Sequence, residues 1–275
     1  MKVVLTIGGS DASGGAGIQS DIKTIMANGC FGTSVITAIA VHNKKGTRKV
    51  ENVRAETVAL QLDLTIDAAS PDAVKVGMLP DAETVHAVAE KIKEYKLENV
   101  VVNPFLITDD GEHTAPEETF DAVVNELLPL ADIITPDLNE LEALSGMKCG
   151  SKSAIITASK AVSEKYDCIV ATKGGKVVGD AADLFFRQDY YKWFPGMIID
   201  NANLHDAGNA MSCAVAANLA KGYDPDKAFK CAKDFVTELL LNMEAVGKMP
   251  QMLGYNSTVS GTFTGVLSDE DLSRM

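Results

Sequence analysis

Residues 199–222 read IDNANLHDAGNAMSCAVAANLAKG, a polar turn followed by a run of small residues. The run predicts a helix over residues 210–220 that ends at Lys221 and Gly222. The first turn of a helix carries unpaired backbone N–H groups and the positive end of the helix dipole. We therefore expect an anion, most often a phosphate, to bind at this turn. Asp206 places an acidic side chain in the same turn, where the anion would lie.

Strand and helix patterns alternate along the rest of the chain. Short apolar runs predict strands at residues 2–8, 34–41, 73–77, 100–102, 132–135 and 168–172, with a strand pair at 182–186 and 190–194. Periodic apolar positions predict helices at residues 16–28, 55–67, 82–96, 116–128, 139–144, 153–166 and 228–243. Repeated β-then-α spacing indicates an α/β fold with a parallel sheet covered by helices on both faces. In such sheets ligands bind beyond the carboxyl ends of the strands.

Composition narrows the classes of function. The net charge of −13 argues against a nucleic-acid surface and against an anionic membrane as partners. Five cysteines without CxxC spacing are typical of reduced thiols in a cytoplasmic protein. No apolar run reaches the length of a membrane span, and the N-terminal run is too short for a signal peptide. Because no linker or repeat divides the chain, we expect one domain over residues 1–275, with an unassigned tail at residues 246–275.

Gly-rich and acidic loops follow several of the predicted strands. The loop at residues 8–17, GGSDASGGAG, lacks the spacing of a P-loop and of GxGxxG. Its Asp11 could orient a ligand hydroxyl or could cap the turn. Asp137 and Glu140 lie three residues apart, a spacing that suits either Mg²⁺ or an N-terminal helix cap.

Other loops also have both a functional and a purely structural interpretation. Thr172-Lys173-Gly174-Gly175 could bring the backbone close to a nucleotide or could form a plain turn. Residues 103–104 and 108–111 are polar and acidic, as in a binding loop or in a solvated surface loop. Among the histidines, His42 at a strand end and His205 in the opening turn hold positions that suggest a role.

A family resemblance is carried by the motifs GGSDASGGAGIQSDIKT, SVITAIAVHN, AVKVGMLP, NVVVNPF, LLPLADIITPDLNELEALSG, ATKGG and NLHDAGNAMSCAVAANLAKG. In this order, from residue 3 to about residue 240, the chain resembles the ribokinase-like vitamin kinases. The branch is that of hydroxymethylpyrimidine (phosphate) kinase and pyridoxal kinase. The resemblance implies a ribokinase-like, mostly parallel central sheet flanked by helices on both faces, usually in a homodimer. It also implies transfer of the ATP γ-phosphate to a hydroxymethylpyrimidine of thiamine biosynthesis, to its phosphate, or to a pyridoxal-type pyridine.

The resemblance assigns roles to individual positions of this chain. Positions in the substrate pocket are Gly9, Asp11, His42 and Met78. Positions in the nucleotide site are Lys173, Gly174 and Gly175. The Asn-x-x-Glu motif that organises Mg²⁺ in the family corresponds to Asp137 and Glu140. The anion hole corresponds to Asp206, Ala207 and Gly208, and the position of the catalytic base is held by Asn209.

Several positions depart from the family pattern. The family turn reads His-Gly-Thr/Ala-Gly-Cys, whereas residues 205–209 read His-Asp-Ala-Gly-Asn. Asn209 has no proton-accepting equilibrium near neutral pH, so it cannot act as the base. A charged Asp206 would oppose a developing phosphoryl transition state unless Mg²⁺ offsets it. The remaining departures are Asn103-Pro104-Phe105 for Asp-Pro-Val, Asp109-Asp110-Gly111 for Lys-Ser-Gly, and His42 for the pocket Gln.

The sequence leaves three hypotheses for the function. The first is a working ATP-dependent vitamin kinase, because phosphoryl transfer depends mainly on positioning and electrostatics and because Asp206 or His205 could substitute as the base. The second is a homologue that binds a pyrimidine-like or pyridine-like ligand without phosphorylating it, because the first loop is retained beside an altered phosphate site. The third is a kinase for a different acceptor, reached through the changes at His42 and Phe105. The vitamin kinase is our working expectation, with ATP and Mg²⁺ as cofactors and a small vitamer as partner.

Overall fold

A nine-stranded β-sheet forms the centre of the molecule in the computed structural model, which describes residues 1–43, 46–107, 114–199, 206–247 and 251–258. Its strands are β1 (Val3–Asp11), β2 (Phe31–Asn43), β3 (Gly46–Asn52), β4 (Ala73–Val76), β5 (Val100–Val102), β6 (Ile133–Ile134), β7 (Ile169–Thr172), β8 (Asp183–Arg187) and β9 (Tyr190–Phe194). Across the sheet they follow the order β3-β2-β1-β4-β5-β6-β7-β8-β9. The chain therefore starts inside the sheet and extends it in both directions.

The central strands, β2, β1 and β4 to β7, are parallel to one another. At one edge β3 is antiparallel to its neighbour, and at the other edge β8 and β9 are antiparallel to theirs. Most residues of the central strands are buried between two layers of helices, which explains their short and largely apolar sequences. The predicted α/β class with a mostly parallel sheet is confirmed, and so is the strand pair at β8 and β9.

Two strands differ from the sequence prediction. β1 continues to Asp11, because its pairing with β2 shifts register between Gly8 and Gly9 and does not end there. The sequence does not predict β3, because GTRKVEN is polar and shows no apolar alternation. A polar, charged sequence is typical of an edge strand, since it discourages pairing with a further chain.

The described residues form eight α-helices: α1 (Gly17–Ala27), α2 (Ala55–Ala69), α3 (Ala82–Glu94), α4 (Glu117–Ala122), α5 (Leu138–Ser145), α6 (Lys152–Tyr166), α7 (Ala207–Ala220) and α8 (Pro225–Leu241). All of the predicted helices are present. The one predicted at residues 116–128 is α-helical only in α4 and continues as a π-helical turn, Val123–Leu127, and a 3₁₀ turn, Leu128–Leu130. Within the described ranges, no helix combines the length and the hydropathy that crossing a membrane requires.

Part of the predicted tail has regular structure. β10 (Glu244–Ala245) and β11 (Gln251–Met252) pair as a small antiparallel sheet, and Tyr255–Thr258 form a 3₁₀ turn. The backbone N–H of Gly254 donates to Leu239 O of α8 at 3.0 Å, which attaches this segment to the body of the protein. Residues 248–250 and 259–275 lie outside the described residues.

Two apolar cores lie on opposite faces of the sheet, because successive strand residues point to opposite faces. Leu5 of β1 packs on the side of α2, α3 and α6, whereas Val4 packs on the side of α1, α7 and α8. α7 lies against the sheet, and all of its residues 210–220 are buried. Lys75 of β4 shares a face with Ala73, so this charged side chain points toward α7.

The parallel strands all end on the same side of the sheet, which is called the carboxyl edge below, in contrast to the edge strands β3 and β9. The residues at or just beyond these ends are Asp11 as the last residue of β1, Met78 after β4, Asn103 after β5, Asp137 after β6 and Lys173 after β7. The order of the strands reverses beside β1, and α/β sheets bind ligands at such a reversal. The fold therefore gathers most of the predicted site residues at the carboxyl edge of the sheet.

Candidate functional site

A cleft of ≈ 450 Å³ lies at this edge, between the carboxyl ends of β6 and β7 and the first turn of α7. Its lining includes residues from three of the predicted roles, namely Asp137, Lys173, Gly175, Ala207 and Gly208. The metal, nucleotide and anion-hole positions are thus brought together. The positions predicted for the substrate pocket lie along the same edge, around β1, β2 and β4.

Lys173 connects the nucleotide loop to α7. A Cβ atom at Gly208 would collide with the Nζ atom of Lys173, so the ammonium lies directly against the first turn of the helix. The backbone N–H of Lys173 donates to Pro136 O at 3.2 Å, which fixes the start of the loop. The ammonium and the positive end of the α7 dipole therefore act on the same point, and that point suits a phosphate.

The rest of the nucleotide loop is held by a buried ion pair. Gly174 N donates to Asp183 Oδ1 at 3.0 Å, and Lys233 Nζ of α8 donates to Asp183 Oδ2 at 2.6 Å. Lys233 also donates to Ala181 O at 2.9 Å. Gly175 follows with a φ of +55°, which glycine adopts without strain. The loop is therefore more than a plain turn, and its supporting ion pair is not revealed by the sequence motifs.

Asp137 and Glu140 form a reciprocal capping box at the N-terminus of α5. Asp137 Oδ1 accepts from Glu140 N at 2.9 Å, and Glu140 Oε2 accepts from Asp137 N at 2.9 Å. The other carboxylate oxygen of Glu140 accepts from Leu106 N at 3.0 Å. Burial raises the pKa of Glu140, the charge of Lys173 opposes that shift, and Asp137 adds to it. Of the two interpretations that the sequence allows, the geometry directly shows the helix cap.

The capping box limits how a metal could bind here. Backbone N–H groups already donate to both oxygens of Glu140, so a cation or its water ligands would share these oxygens with the capping box. In the part of the chain that the structure describes, no group of three or more His, Cys, Asp or Glu side chains could hold a metal ion. The donor set fits Mg²⁺ if phosphate oxygens and water supply most of its ligands, which is the usual preference of this ion.

Asp11 organises the Gly-rich loop. Its Oδ1 accepts from Ser13 N at 2.9 Å, and its Oδ2 accepts from Ser13 Oγ at 2.6 Å. Gly17 has a φ of +59°, and a Cβ atom there would collide with Gly9 O, so this close approach needs a glycine. A Cβ atom at Gly9 would lie 3.1 Å from Met78 Sδ. Two predicted pocket residues, Gly9 and Met78, are therefore in contact, while Asp11 shapes the loop beside them.

Other predicted positions are placed only in part. His42 lies near the end of β2, but its side chain is outside the described residues. His205 and the loop Asp109-Asp110-Gly111 lie entirely outside them. Asn103 is buried just beyond β5, and Phe105 is exposed with a φ of 50°. The roles assigned to these positions stay predictions.

Asn209, at the base position, has both ends of its amide engaged. Its Nδ2 donates to Asp21 Oδ1 at 2.7 Å, and Lys75 Nζ donates to its Oδ1. Lys75 Nζ also donates to Asp21 Oδ2 at 2.9 Å, and Thr6 Oγ1 donates to the same oxygen at 2.5 Å. A Cβ atom at Gly77 would lie 2.6 Å from Lys75 Nζ, so the glycine leaves room for the ammonium. The Asn209 amide can orient a hydroxyl group, but it cannot take up its proton.

Asp21 and Lys75 are site residues that the motif analysis misses. One signal for them is present in the sequence, a lysine in the middle of the apolar run AVKVG. The lysine is only 1% exposed, and charged side chains are almost never fully buried unless they are paired. Such a lysine indicates a buried acid nearby, which the structure identifies as Asp21.

The carboxyl group of Asp206 does not cap the backbone of α7 and lies between α1 and the side chain of Asn209. Asp206 has a φ of 68°, and its Oδ2 accepts from Ser20 Oγ of α1. The residue as a whole is half-buried, but its carboxyl group lies inside the protein. Burial raises the pKa of Asp206 to about 8 and the charge of Asp21 adds to this shift, while Lys75 and the hydrogen bonds with Ser20 and Asn209 oppose it. The negative charge expected opposite a phosphate is therefore mostly absent at pH 7, because burial stabilises the neutral acid.

One protein family and several known proteins resemble this chain over most of its length. A family model described as phosphomethylpyrimidine kinase matches residues 11–253. The hydroxymethylpyrimidine/phosphomethylpyrimidine kinase of Rhizobium meliloti is 37% identical over 236 residues, which cover 85% of this chain and 88% of that protein. The pyridoxine kinase of Bacillus subtilis is 36% identical over 244 residues, which cover 86% and 89%. The crystal structure of an ADP complex of Bacillus subtilis pyridoxal kinase gives a TM-score of 0.86 at 32% identity, covering 93% of this chain and 98% of that one.

Lys75→Met tests the buried ion pair. The change leaves the Asp21 carboxylate buried without its cation, and we expect the free energy of unfolding to fall by about 3–5 kcal/mol. Asp21→Asn/Lys75→Met removes both charges and should lose less than the single variant. Urea denaturation at pH 7 measures these values. The control is Lys148→Met, which removes an exposed partner of Glu142 and should change little. If Lys75→Met lost no more stability than the control Lys148→Met, the role of the buried ion pair would be contradicted.

The raised pKa of Asp206 predicts a pH-dependent stability. Between about pH 4, near the pKa of an unfolded aspartate, and about pH 8, the folded protein binds more protons here than the unfolded chain. The contribution of Asp206 to stability is therefore full below pH 4 and is lost as the pH rises through 8. Asp206→Asn keeps a neutral side chain. Relative to it, the wild-type free energy of unfolding should fall by up to about 1.4 kcal/mol per pH unit in that window.

Urea denaturation of both proteins from pH 4 to pH 9 measures this difference. Asp21, Lys75, Cys213 and Tyr255 also face the Asp206 carboxyl group. They are present in both proteins, so their own titrations largely cancel in the comparison. A difference that stays constant over the whole range would show that Asp206 does not retain its proton on folding.

Proposed function

This chain belongs to the phosphomethylpyrimidine kinase family, and from that membership we propose that it phosphorylates a hydroxymethyl-bearing heterocycle with ATP. The acceptor is a substituted pyrimidine, such as the hydroxymethylpyrimidine of thiamine biosynthesis or its phosphate, or a pyridoxal-type pyridine. The two relatives described above are kinases of the first and of the second class.

One observation carries the proposal: the ammonium of Lys173 lies against Gly208 in the first turn of α7. In this arrangement the nucleotide loop and the proposed anion hole act on the same phosphoryl group. Phosphoryl transfer depends on such positioning and charge stabilisation more than on covalent chemistry by the protein. ATP supplies the γ-phosphoryl group, and the chain supplies the cation and the backbone N–H donors that hold it.

Asp137 and Glu140 are the residues that would hold Mg²⁺ beside the phosphates. Asp137 lines the cleft, whereas Glu140 remains in the capping box and fixes the orientation of Asp137. Mg²⁺ neutralises phosphate charge when it is bound, and the two acids would accept hydrogen bonds from its water ligands.

Asn209 would orient the acceptor hydroxyl in place of a base. Its amide oxygen accepts from Lys75, and a carbonyl oxygen has a second lone pair that can accept from a hydroxyl. In a loose transition state the attacking oxygen has formed little bond to phosphorus, so early loss of its proton matters less. Removal of a general base typically lowers a rate by about 10²–10⁴-fold, so we expect slow but measurable turnover.

The acceptor ring would lie against the ends of β1 and β4. Gly9 and Met78 are in contact there, and a thioether packs well against a flat aromatic ring. Asp11 shapes the adjoining loop through its two bonds to Ser13. His42, near the end of β2, would complete this pocket.

ADP release with Mg²⁺–ATP tests the proposal. We expect the wild-type protein to release ADP faster with hydroxymethylpyrimidine or with pyridoxal than without an acceptor. Gly208→Ala would push the flexible end of Lys173 away from the first turn of α7, and we expect kcat to fall by about tenfold, a barrier increase of about 1.4 kcal/mol. The control is Gly150→Ala, whose added Cβ meets nothing within 4 Å and should leave the rate unchanged.

The same assay separates the alternatives. Absence of turnover with both acceptors would refute kinase activity towards these compounds. If calorimetry then showed that a vitamer binds and that Mg²⁺–ATP does not, the protein would be a ligand-binding homologue without transfer activity. ADP release that appeared only with a sugar or a nucleoside would identify a kinase for a different acceptor.

The protein is further proposed to form a homodimer through β2 and α2, which pack against each other. Ile39 and Val41 of β2 and Leu60 and Leu64 of α2 are apolar side chains that are 46–64% exposed. Single exposed apolar residues are normal, but a group of them on adjoining elements is typical of an interaction surface. The family resemblance implies a second copy of the chain as the occupant, and such contacts are usually two-fold symmetric.

Sedimentation velocity tests the dimer. We expect the wild type to sediment as a dimer and Leu60→Glu/Leu64→Glu as a monomer, because four charges would then face each other across a two-fold interface. Tyr190→Glu changes a residue that is 52% exposed on β9, at the opposite edge of the sheet, and should leave the dimer intact. A dimer that persists in the double variant would place the interface elsewhere.

A further inference from the structure

The first turn of α7 is not capped by Asp206, although this residue stands at the N-cap position. An aspartate at an N-cap normally accepts from the N–H of the second or third helical residue. Asp81 at α3 and Asp137 at α5 do so, with bonds of 2.8 Å to Thr84 N and 2.9 Å to Glu140 N. The side chain of Asp206 makes no such bond. The donors at the start of α7 are therefore left clear of this acid.

Backbone conformation and Ser20 explain the difference. Asp81 and Asp137 have φ values of −150° and −79°, whereas Asp206 has a left-handed φ of 68°. With this backbone its carboxyl group reaches α1, where Ser20 Oγ donates to Oδ2, and it also interacts with the side-chain amide of Asn209. The left-handed conformation costs more for aspartate than for glycine, and the contact with Ser20 offsets part of this cost.

Tyr255 in turn holds Ser20. Its hydroxyl lies 2.7 Å from Ser20 Oγ and 3.0 Å from Thr24 Oγ1, one turn further along α1. The segment that carries Tyr255 is attached on both sides. Gly254 N donates a hydrogen bond to α8. The side chain of Met252 packs on the Gly-rich loop so closely that a Cβ atom at Gly15 would collide with it.

We propose that Ser20 and Tyr255 are positioning residues for phosphoryl transfer, because they hold the Asp206 side chain away from the N–H groups of Gly208 and Asn209. The inference rests on the proposed function, in which those groups bind the transferred phosphoryl group. Without Ser20, the carboxyl group loses its contact with α1 and keeps only its interaction with the Asn209 side chain, so it can turn back and cap its own helix. It then occupies the donors and brings a negative charge to the place of the phosphate.

A purely structural role for Ser20 predicts a different result. If Ser20 only joins α1 to the C-terminal segment, its loss has the same effect whichever residue stands at position 206. If it restrains Asp206, its loss no longer affects transfer once Asp206 is replaced by glycine, which adopts this backbone without strain. A double-mutant cycle therefore distinguishes the two roles.

The cycle compares full-length wild type, Ser20→Ala, Asp206→Gly and Ser20→Ala/Asp206→Gly by ADP release with Mg²⁺–ATP and the better acceptor. We expect Ser20→Ala to lower kcat by about 10–100-fold with the KM of the heterocycle unchanged, since loss of one anion-hole donor costs up to about 10²–10³-fold. In the Asp206→Gly background the same change should alter kcat by no more than about twofold, the limit expected for uncoupled sites.

Two single variants refine the test. Tyr255→Phe should act in the same direction as Ser20→Ala but more weakly, because Ser20 keeps its own bond to Asp206. Thr24→Val is the matched control, because it removes the other partner of Tyr255 without a contact to Asp206. It should keep kcat within about twofold of wild type.

Crystal structures of wild type and Ser20→Ala give a readout that needs no activity. We expect the Asp206 carboxylate of the variant within hydrogen-bond distance of Gly208 N or Asn209 N. A carboxylate that stays beside α1, or an equal loss of kcat in both backgrounds, overturns the proposal. If the wild type itself shows no turnover, the proposed function fails, and the two structures decide whether Ser20 restrains Asp206.

Discussion

The buried contact between Lys75 and Asp21 is the interaction on which the candidate site depends. It joins the central strand β4 to α1, and through Asn209 it also fixes the first turn of α7. A buried ion pair adds little net stability, because desolvation offsets the attraction of the charges. Its contribution is positional, since it sets where the N-terminus of α7 lies relative to the strand ends. Gly77 and Gly208 then leave the space that the two lysines of the site need.

The elements and the location of the site can be predicted from local sequence patterns, but the electrostatics of the site cannot. Apolar runs and Gly-rich turns predict the parallel strands, the helices and the edge where ligands bind. β3 cannot be predicted from the sequence, because a polar edge strand shows no apolar alternation. The protonation of Asp206 cannot be predicted from the sequence either, because it depends on burial beside Ser20, 186 positions earlier. The Asp137–Glu140 spacing suits a metal and a capping box equally, so only the geometry shows the cap.

The altered residues of the anion hole are accommodated together. Asp206 stands where the family pattern has a glycine, burial favours its neutral form, and Ser20 of α1 holds its carboxyl group off the backbone donors. Asn209 stands where the pattern has a base, and its amide satisfies Lys75 and Asp21 at once. An acid at position 209 would add a third carboxyl group, after Asp21 and Asp206, beside the single ammonium of Lys75. The arrangement favours holding a phosphoryl group over removing a proton, which agrees with a reaction limited by positioning.

The network beneath α7 also constrains the order in which the protein matures on the ribosome. Its partners are far apart in the chain: Lys75 is 54 positions from Asp21, Asn209 is 134 from Lys75, and Tyr255 is 235 from Ser20. Contacts between such distant residues form late, because long loops must close first. Before α7 has been synthesised, β1 can already pair with β4. Lys75 and Asp21 then still lack Asn209, the residue that connects them to α7. The first turn of α7, where we propose that phosphate binds, therefore reaches its final position late in synthesis.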